Sequence, residues 1–219
     1  MIKKFINFTV LTTMFLSPLA SIAGVAPSEV MGEVIKVQSR WAQLYFLDEF
    51  KNKNYGELQQ LAKDANRLAS TFPDSAEALA WDAIVLSSLA EKKGGIGALS
   101  LVRESRVKLE AAEHINPTAL NGSIFASLGT LYAKVPGWPL GFGNDRKARY
   151  YFSKALEVNP NGLDINYFYA EFLADNGEDV AALKYVEKAL SAPALVNRPV
   201  ADNGRRQQAR ELQKMLIGS

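Results

Sequence analysis

Apolar residues recur at three- and four-residue steps along most of this chain, and alternating, strand-like runs are scarce. Val30, Val34, Val37, Trp41, Leu44, Leu47 and Phe50 keep to one face of a first helix, Ser28 to about Lys51. Tyr55 to Ser70 reads as a second, ending ahead of Phe72-Pro73. Asp74-Ser75, with Asp74 and Glu77 three apart, caps a third from Ala76 to Ala90. Ala98 to Ile115 is its partner. Further helices follow around Phe125–Tyr132 and Ala148–Ala155, then Asp164–Ala174, Glu178–Ser191 and Asp202 to about Leu216. The turn Asp175-Asn176-Gly177 suits a left-handed helix stop. Pro73, Pro117 and Pro160 end successive units, since proline cannot continue a helix. The expectation is about nine helices, paired as hairpins.

The pairs repeat. Ala148, Phe152, Ala155 and Pro160 are spaced +4, +7 and +12, and a shift of 34 places them on Ala182, Val186, Ala189 and Ala194. Ser105, Leu109 and Ala112 hold the same places before Pro117. Upstream, Phe125, Leu128, Gly129 and Tyr132 follow the spacing W-x2-L-G-x2-Y with Phe in the Trp place. In this pattern Gly129 lets two helices approach and Ala148 faces it. Residues 125–194 therefore resemble tetratricopeptide (TPR) repeats, and residues 42–117 do so with insertions. Pro73 and Pro117 are 44 apart, and the ten extra residues are expected around Lys92–Gly97 and adjoining turns. The expected fold is all-α: a TPR-like right-handed solenoid of about four helical hairpins plus a C-terminal capping helix, one domain over residues 24–219. The last helix, without a partner of its own, carries Arg205, Arg206, Gln207, Arg210, Glu211 and Lys214 toward solvent and Leu212, Met215 and Leu216 inward.

The first 23 residues read as a targeting segment rather than fold. Lys3 and Lys4 precede a mostly apolar run from Phe5 to Leu19, and Ser21-Ile22-Ala23 offers a small–x–small cleavage site. The expected location is the periplasm, with no membrane span in the mature chain. The chain has no cysteine, which leaves no disulfide, thiolate metal site or lipoprotein anchor. Of 25 basic and 23 acidic residues, two of the basic ones are Lys3 and Lys4, so the mature chain is formally neutral. Nothing favours a nucleic-acid partner.

Chemistry is thinly represented. His114 is the sole histidine and sits near a helix end. Glu110 and Glu113 resemble an ordinary solvated face, and Gly94-Gly95-Ile96-Gly97 lacks the strand and spacing of a phosphate loop. No nucleophile–base pair, cofactor motif or metal-ligand set is visible, so an enzyme is not expected. Two features point to binding. The stretch 135–143 holds three Gly, two Pro, Trp138 and Phe142 where a plain repeat has a tight turn. Its aromatics either plug the hairpin or line a ligand surface, as long loops in compact arrays often do. The second feature is the stripe Tyr167–Glu171, which the register of Ala170 turns into the concave groove. Its counterparts are Ala126 and Thr130, Ala80 and Ile84, and Phe46 and Phe50. The candidate ligand- or partner-binding residues are thus Phe46, Phe50, Ile84, Thr130, Trp138, Phe142, Tyr167 and Glu171. A groove of this kind suits a partner segment or an apolar ligand.

A narrower resemblance covers the second half of the chain. Val135–Gly143, Lys147–Leu156 and Asn159–Tyr169 are similar to exported bacterial repeat proteins of the TatT type, components associated with tripartite (TRAP) transporters. That resemblance implies an all-helical periplasmic module that docks a solute-binding protein and holds a small apolar ligand. TatT-type proteins are lipoproteins, and this chain has no cysteine to anchor it.

Overall fold

Nine small or apolar positions set how the helices cross. Ser105, Leu109 and Ala112, then Ala148, Phe152 and Ala155, then Ala182, Val186 and Ala189 are all essentially inaccessible to solvent. They lie at the same +0, +4 and +7 places of three helices, so one stripe of each faces its hairpin partner. The structure, a computed structural model, describes residues 27–47, 54–195 and 197–218. Residues 1–23, expected from sequence to be a targeting segment, and Phe50 lie outside the described residues.

Among the described residues there are nine α-helices and no strand. They are α1 Pro27–Phe46, α2 Asn54–Thr71, α3 Ala76–Lys93, α4 Ala98–Ile115, α5 Ser123–Lys134, α6 Asp145–Val158, α7 Leu163–Asp175, α8 Asp179–Ser191 and α9 Pro199–Gly218. A short 3-10 turn, Ala119–Gly122, joins α4 to α5. Consecutive helices pair: α1 with α2, α3 with α4, α5 with α6 and α7 with α8.

Local chemistry explains the boundaries. The cap of α3 is Ser75, whose Oγ accepts from the Ala78 amide at 3.2 Å, rather than Asp74. Asn144 caps α6, its Oδ1 accepting from the Lys147 amide at 2.9 Å. Gly177 takes a positive φ of 73° after α7, a conformation glycine adopts without strain. The ten extra residues of the second hairpin do not form a long turn. Helices α3 and α4 are 18 residues each, against 13 each in α7 and α8, so the insertion adds about a turn and a half to each helix. Only Gly94–Gly97 separates α3 from α4.

The crossing at Gly129 also differs in detail from the expectation. A Cβ there would sit 3.0 Å from the Phe152 ring, so the glycine admits that aromatic face rather than Ala148. Phe152 in turn packs on Tyr169 and Phe172 at centroid distances of 5.5 Å, tying α6 to α7.

The larger difference is α9. The expected lone terminal helix packs on α8, α7 and α1. Ala209 and Leu212 cover the end of the α7–α8 hairpin. Ala201 joins the core of the first hairpin with Val34, Leu44 and Trp81. Gly204 meets the Phe46 side chain so closely that a Cβ would overlap it. Arg205, expected in solvent, is 4% exposed, whereas Met215, expected inside, is exposed. The odd-numbered helices consequently touch in a closed circuit: α1 to α3, α3 to α5, α5 to α7, α7 to α9 and α9 back to α1.

Candidate functional site

The closed circuit surrounds a cavity of about 800 Å³. Each odd helix contributes one stripe to its wall, because residues four apart share a helical face. These stripes are Trp41 and Tyr45 from α1, Ile84, Ser88 and Glu91 from α3, Ser127, Thr130 and Lys134 from α5, Tyr167 and Glu171 from α7, and Arg205 and Gln208 from α9. Leu99 and Val102 of α4 reach the wall between α3 and α5. Ile96 from the α3–α4 turn and Val135, Pro136 and Leu140 from the α5–α6 loop complete it at one end.

Of the eight residues singled out from sequence, the structure brings four to this wall: Ile84, Thr130, Tyr167 and Glu171. Phe46 lies instead between α1 and α9, edge-on to Trp41 at 5.6 Å and beneath the Arg205 guanidinium at 5.4 Å. The 135–143 loop divides its two aromatics. Phe142 packs edge-on to Tyr132 at 5.5 Å and carries the Arg106 guanidinium at 4.4 Å. Trp138 is 89% exposed and off the wall. Phe50 lies outside the described residues. Ala80 and Ala126, the other stripe positions, are buried in the hairpin cores.

The polar groups of the wall are mostly engaged. Tyr45 donates to Glu91 at 3.0 Å and Tyr167 donates to Glu171 at 3.4 Å. Burial first, and the adjoining carboxylate second, push both phenols above their ordinary range, so both stay protonated donors. Burial works against the charge on Lys134. Asp175 at 2.7 Å and Glu171 at 3.3 Å outweigh it and hold the ammonium above its usual range. Arg205 donates through Nε to Asp164 at 2.9 Å and through Nη1 to Gln208 at 2.6 Å. Its guanidinium lies over the rings of Phe168 at 4.2 Å and Tyr167 at 4.9 Å. Burial alone would raise Asp164, but Arg205 and Arg198, which also bonds it, hold it below the ordinary carboxylate range.

Sequence reasoning missed Trp41, Tyr45, Glu91, Lys134, Arg205 and Gln208. Trp41 and Tyr45 have the right four-residue spacing but lie five positions before the Phe46–Phe50 pair chosen for α1, on the adjacent helical stripe. The first hairpin lacks the small-residue signature that fixed the register elsewhere. Arg205 carries no local signal, since an arginine on a terminal helix reads as solvated.

His114, near the end of α4, is exposed and away from the cavity. No family model matches the chain and no curated protein matches it, so the fold and the cavity geometry carry the functional argument.

Proposed function

We propose that this chain is a non-enzymatic binding protein that takes a small, largely apolar ligand into the cavity within its helical circuit. One observation carries the reading: α9 returns to α1, which turns the concave side of the hairpin array into a walled space. About 800 Å³ lies in the range of small-molecule sites. Its wall combines Ile84, Leu99, Val102 and Leu131 with a few fixed donors and acceptors, the usual mixture for binding with orientation. Lys134 and Arg205 already have carboxylate partners. The wall therefore favours a ligand whose polar end hydrogen-bonds over one bound by its net charge.

The array is read as a TPR-like right-handed solenoid, and the targeting segment as a cleavable signal for export to the periplasm. With the TatT-type resemblance, this gives an accessory protein of a tripartite uptake system that docks a solute-binding protein. A partner segment laid along the concave side, the other expectation, has less support, because α9 occupies the side such a segment would need. Native mass spectrometry of the protein purified from its own host tests the ligand reading. A stoichiometric added mass that organic extraction releases is expected. A clean apo mass for freshly isolated, folded protein would sink it. The same spectrum places the mature N-terminus, expected at Gly24.

A further inference from the structure

Three side chains on the α3–α4 turn and the α5–α6 loop are exposed far beyond what packing requires. Ile96 is 86% exposed, Trp138 89% and Leu140 64%. Ile96 and Leu140 also belong to the cavity wall, so this apolar rim borders its mouth. The loop that presents Trp138 is built, not frayed. Gly141 donates to the Gly137 carbonyl at 3.1 Å, Gly143 to Pro136 at 3.0 Å and Asn144 to Tyr132 at 2.8 Å. Phe142 anchors it on Tyr132, and Arg103 of α4 donates to the Leu140 carbonyl at 3.2 Å. Holding a tryptophan in water on so fixed a support suits a surface that expects apolar contact.

Charge around the rim narrows what that contact is. Lys92 and Lys93 end α3, with Gly94 and Gly95 between them and Ile96, and Arg103 sits beside Leu140. All three are exposed, and among the described residues none is in an ion pair. The nearby carboxylates are engaged: Glu91 accepts from Tyr45 and Glu104 pairs with Lys108. The rim is thus apolar at its tips and cationic around them. We infer that it docks on an anionic phospholipid surface. Trp138, Ile96 and Leu140 enter the headgroup region and Lys92, Lys93 and Arg103 meet the phosphates. Apolar tips flanked by cations match an interface that is anionic at its surface and apolar beneath, which favours lipid over a protein partner, and the cavity bordering the same rim gives the docked position a use. The surface is separable from the ligand reading, since vesicle binding can be gained or lost whatever the cavity holds.

Tryptophan fluorescence with vesicles tests this directly. Trp41 and Trp81 are buried, at 7% and 6% exposure, so a spectral shift reports Trp138. With phosphatidylglycerol-containing vesicles the emission should move to the blue and the protein should sediment with the lipid. Pure phosphatidylcholine or high salt should weaken partitioning about tenfold or more. Lys92→Gln with Lys93→Gln should lower it roughly 10- to 30-fold. Trp138→Ser with Ile96→Ser should abolish it and leave the thermal melt unchanged, because both side chains are in solvent. Absence of binding to anionic vesicles overturns the inference. So does binding that survives Trp138→Ser with Ile96→Ser. A photo-crosslinker at position 138 that captures a protein while vesicles are ignored would reassign the rim to a protein partner.

Discussion

Arg205 of α9 donates through Nε to Oδ1 of Asp164 on α7 at 2.9 Å, while the same guanidinium lies 4.2 Å above the Phe168 ring. This contact, together with the seat of Gly204 on Phe46, holds the last helix across the open side of the array. Removing Arg205 leaves Asp164 to Arg198 and strips the guanidinium from the Phe168 and Tyr167 rings and from Gln208. Arg205→Ala should therefore cost about 3 kcal/mol. For a chain of this size that corresponds to a melting point lower by roughly 6–12 °C. Arg205→Lys should recover only part of it, since an ammonium reproduces neither the planar stacking nor the fork of donors. A calorimetric melt within about 2 °C of wild type for Arg205→Ala would show that closure does not depend on this residue.

Acid should loosen the same seam. Asp164 is held below its ordinary range in the folded protein by Arg205 and Arg198, against the effect of burial. Its contribution is complete above the ordinary carboxylate range and is lost as pH falls through the folded-state value. Stability should decline on acidification below about pH 4. Asp164→Asn, less stable at neutral pH, should decline less steeply there. Asp82 acts with the opposite sign: burial raises it despite Lys108 at 2.8 Å, so its protonation favours the fold as pH drops. Urea midpoints between pH 3 and 7 measure both, and parallel curves for wild type and Asp164→Asn would refute the assignment.

The Gly129–Phe152 contact makes a volume prediction. Gly129→Ala gains up to about 1 kcal/mol of helix propensity. It also forces the Phe152 ring away from a 3.0 Å approach, an overpacking cost of about 1–3 kcal/mol. The net should be a loss of about 1 kcal/mol, read as a lower urea midpoint at unchanged slope. A raised midpoint would mean that the α5–α6 crossing has slack to give.

Filling the cavity should separate binding from folding. Ile84 is half-buried on the wall, so Ile84→Trp can extend into the cavity. The extracted ligand mass should fall or disappear while far-ultraviolet circular dichroism keeps its helical signal. Retention of a full-sized ligand in that variant would place the binding site elsewhere.

The legible and illegible parts of this site divide along helices rather than residues. In α3, α5 and α7 the inner stripe followed from the small residues at the crossings, because a glycine or alanine there fixes how the helix is turned. Ile84, Thr130, Tyr167 and Glu171 reach the wall for that reason. In α1 the place held by Gly129 and Ala170 elsewhere is taken by Leu44, and the chosen stripe fell one position away from that of Trp41 and Tyr45. The loop at 135–143 stood out by composition. Composition cannot say which of two aromatics goes inward, since Phe142 is chosen by the Tyr132 ring and the Arg106 guanidinium that happen to face it.

By itself, the amino-acid order determined the helices, their pairing into hairpins and the register of the second helix in three of the pairs. These depend on capping, on 3.6-residue periodicity and on small side chains at close crossings, all settled within a few turns of chain. Only the tertiary structure decided that α9 returns to α1, that Arg205 is buried among Phe46, Tyr167 and Phe168, and that a groove becomes a cavity. Those outcomes rest on contacts between residues far apart in the chain, from Arg205 with Phe168, 37 positions away, to Phe46 with Gly204, 158 away. Whether such surfaces meet depends on the summed geometry of every hairpin between them, which no local pattern encodes.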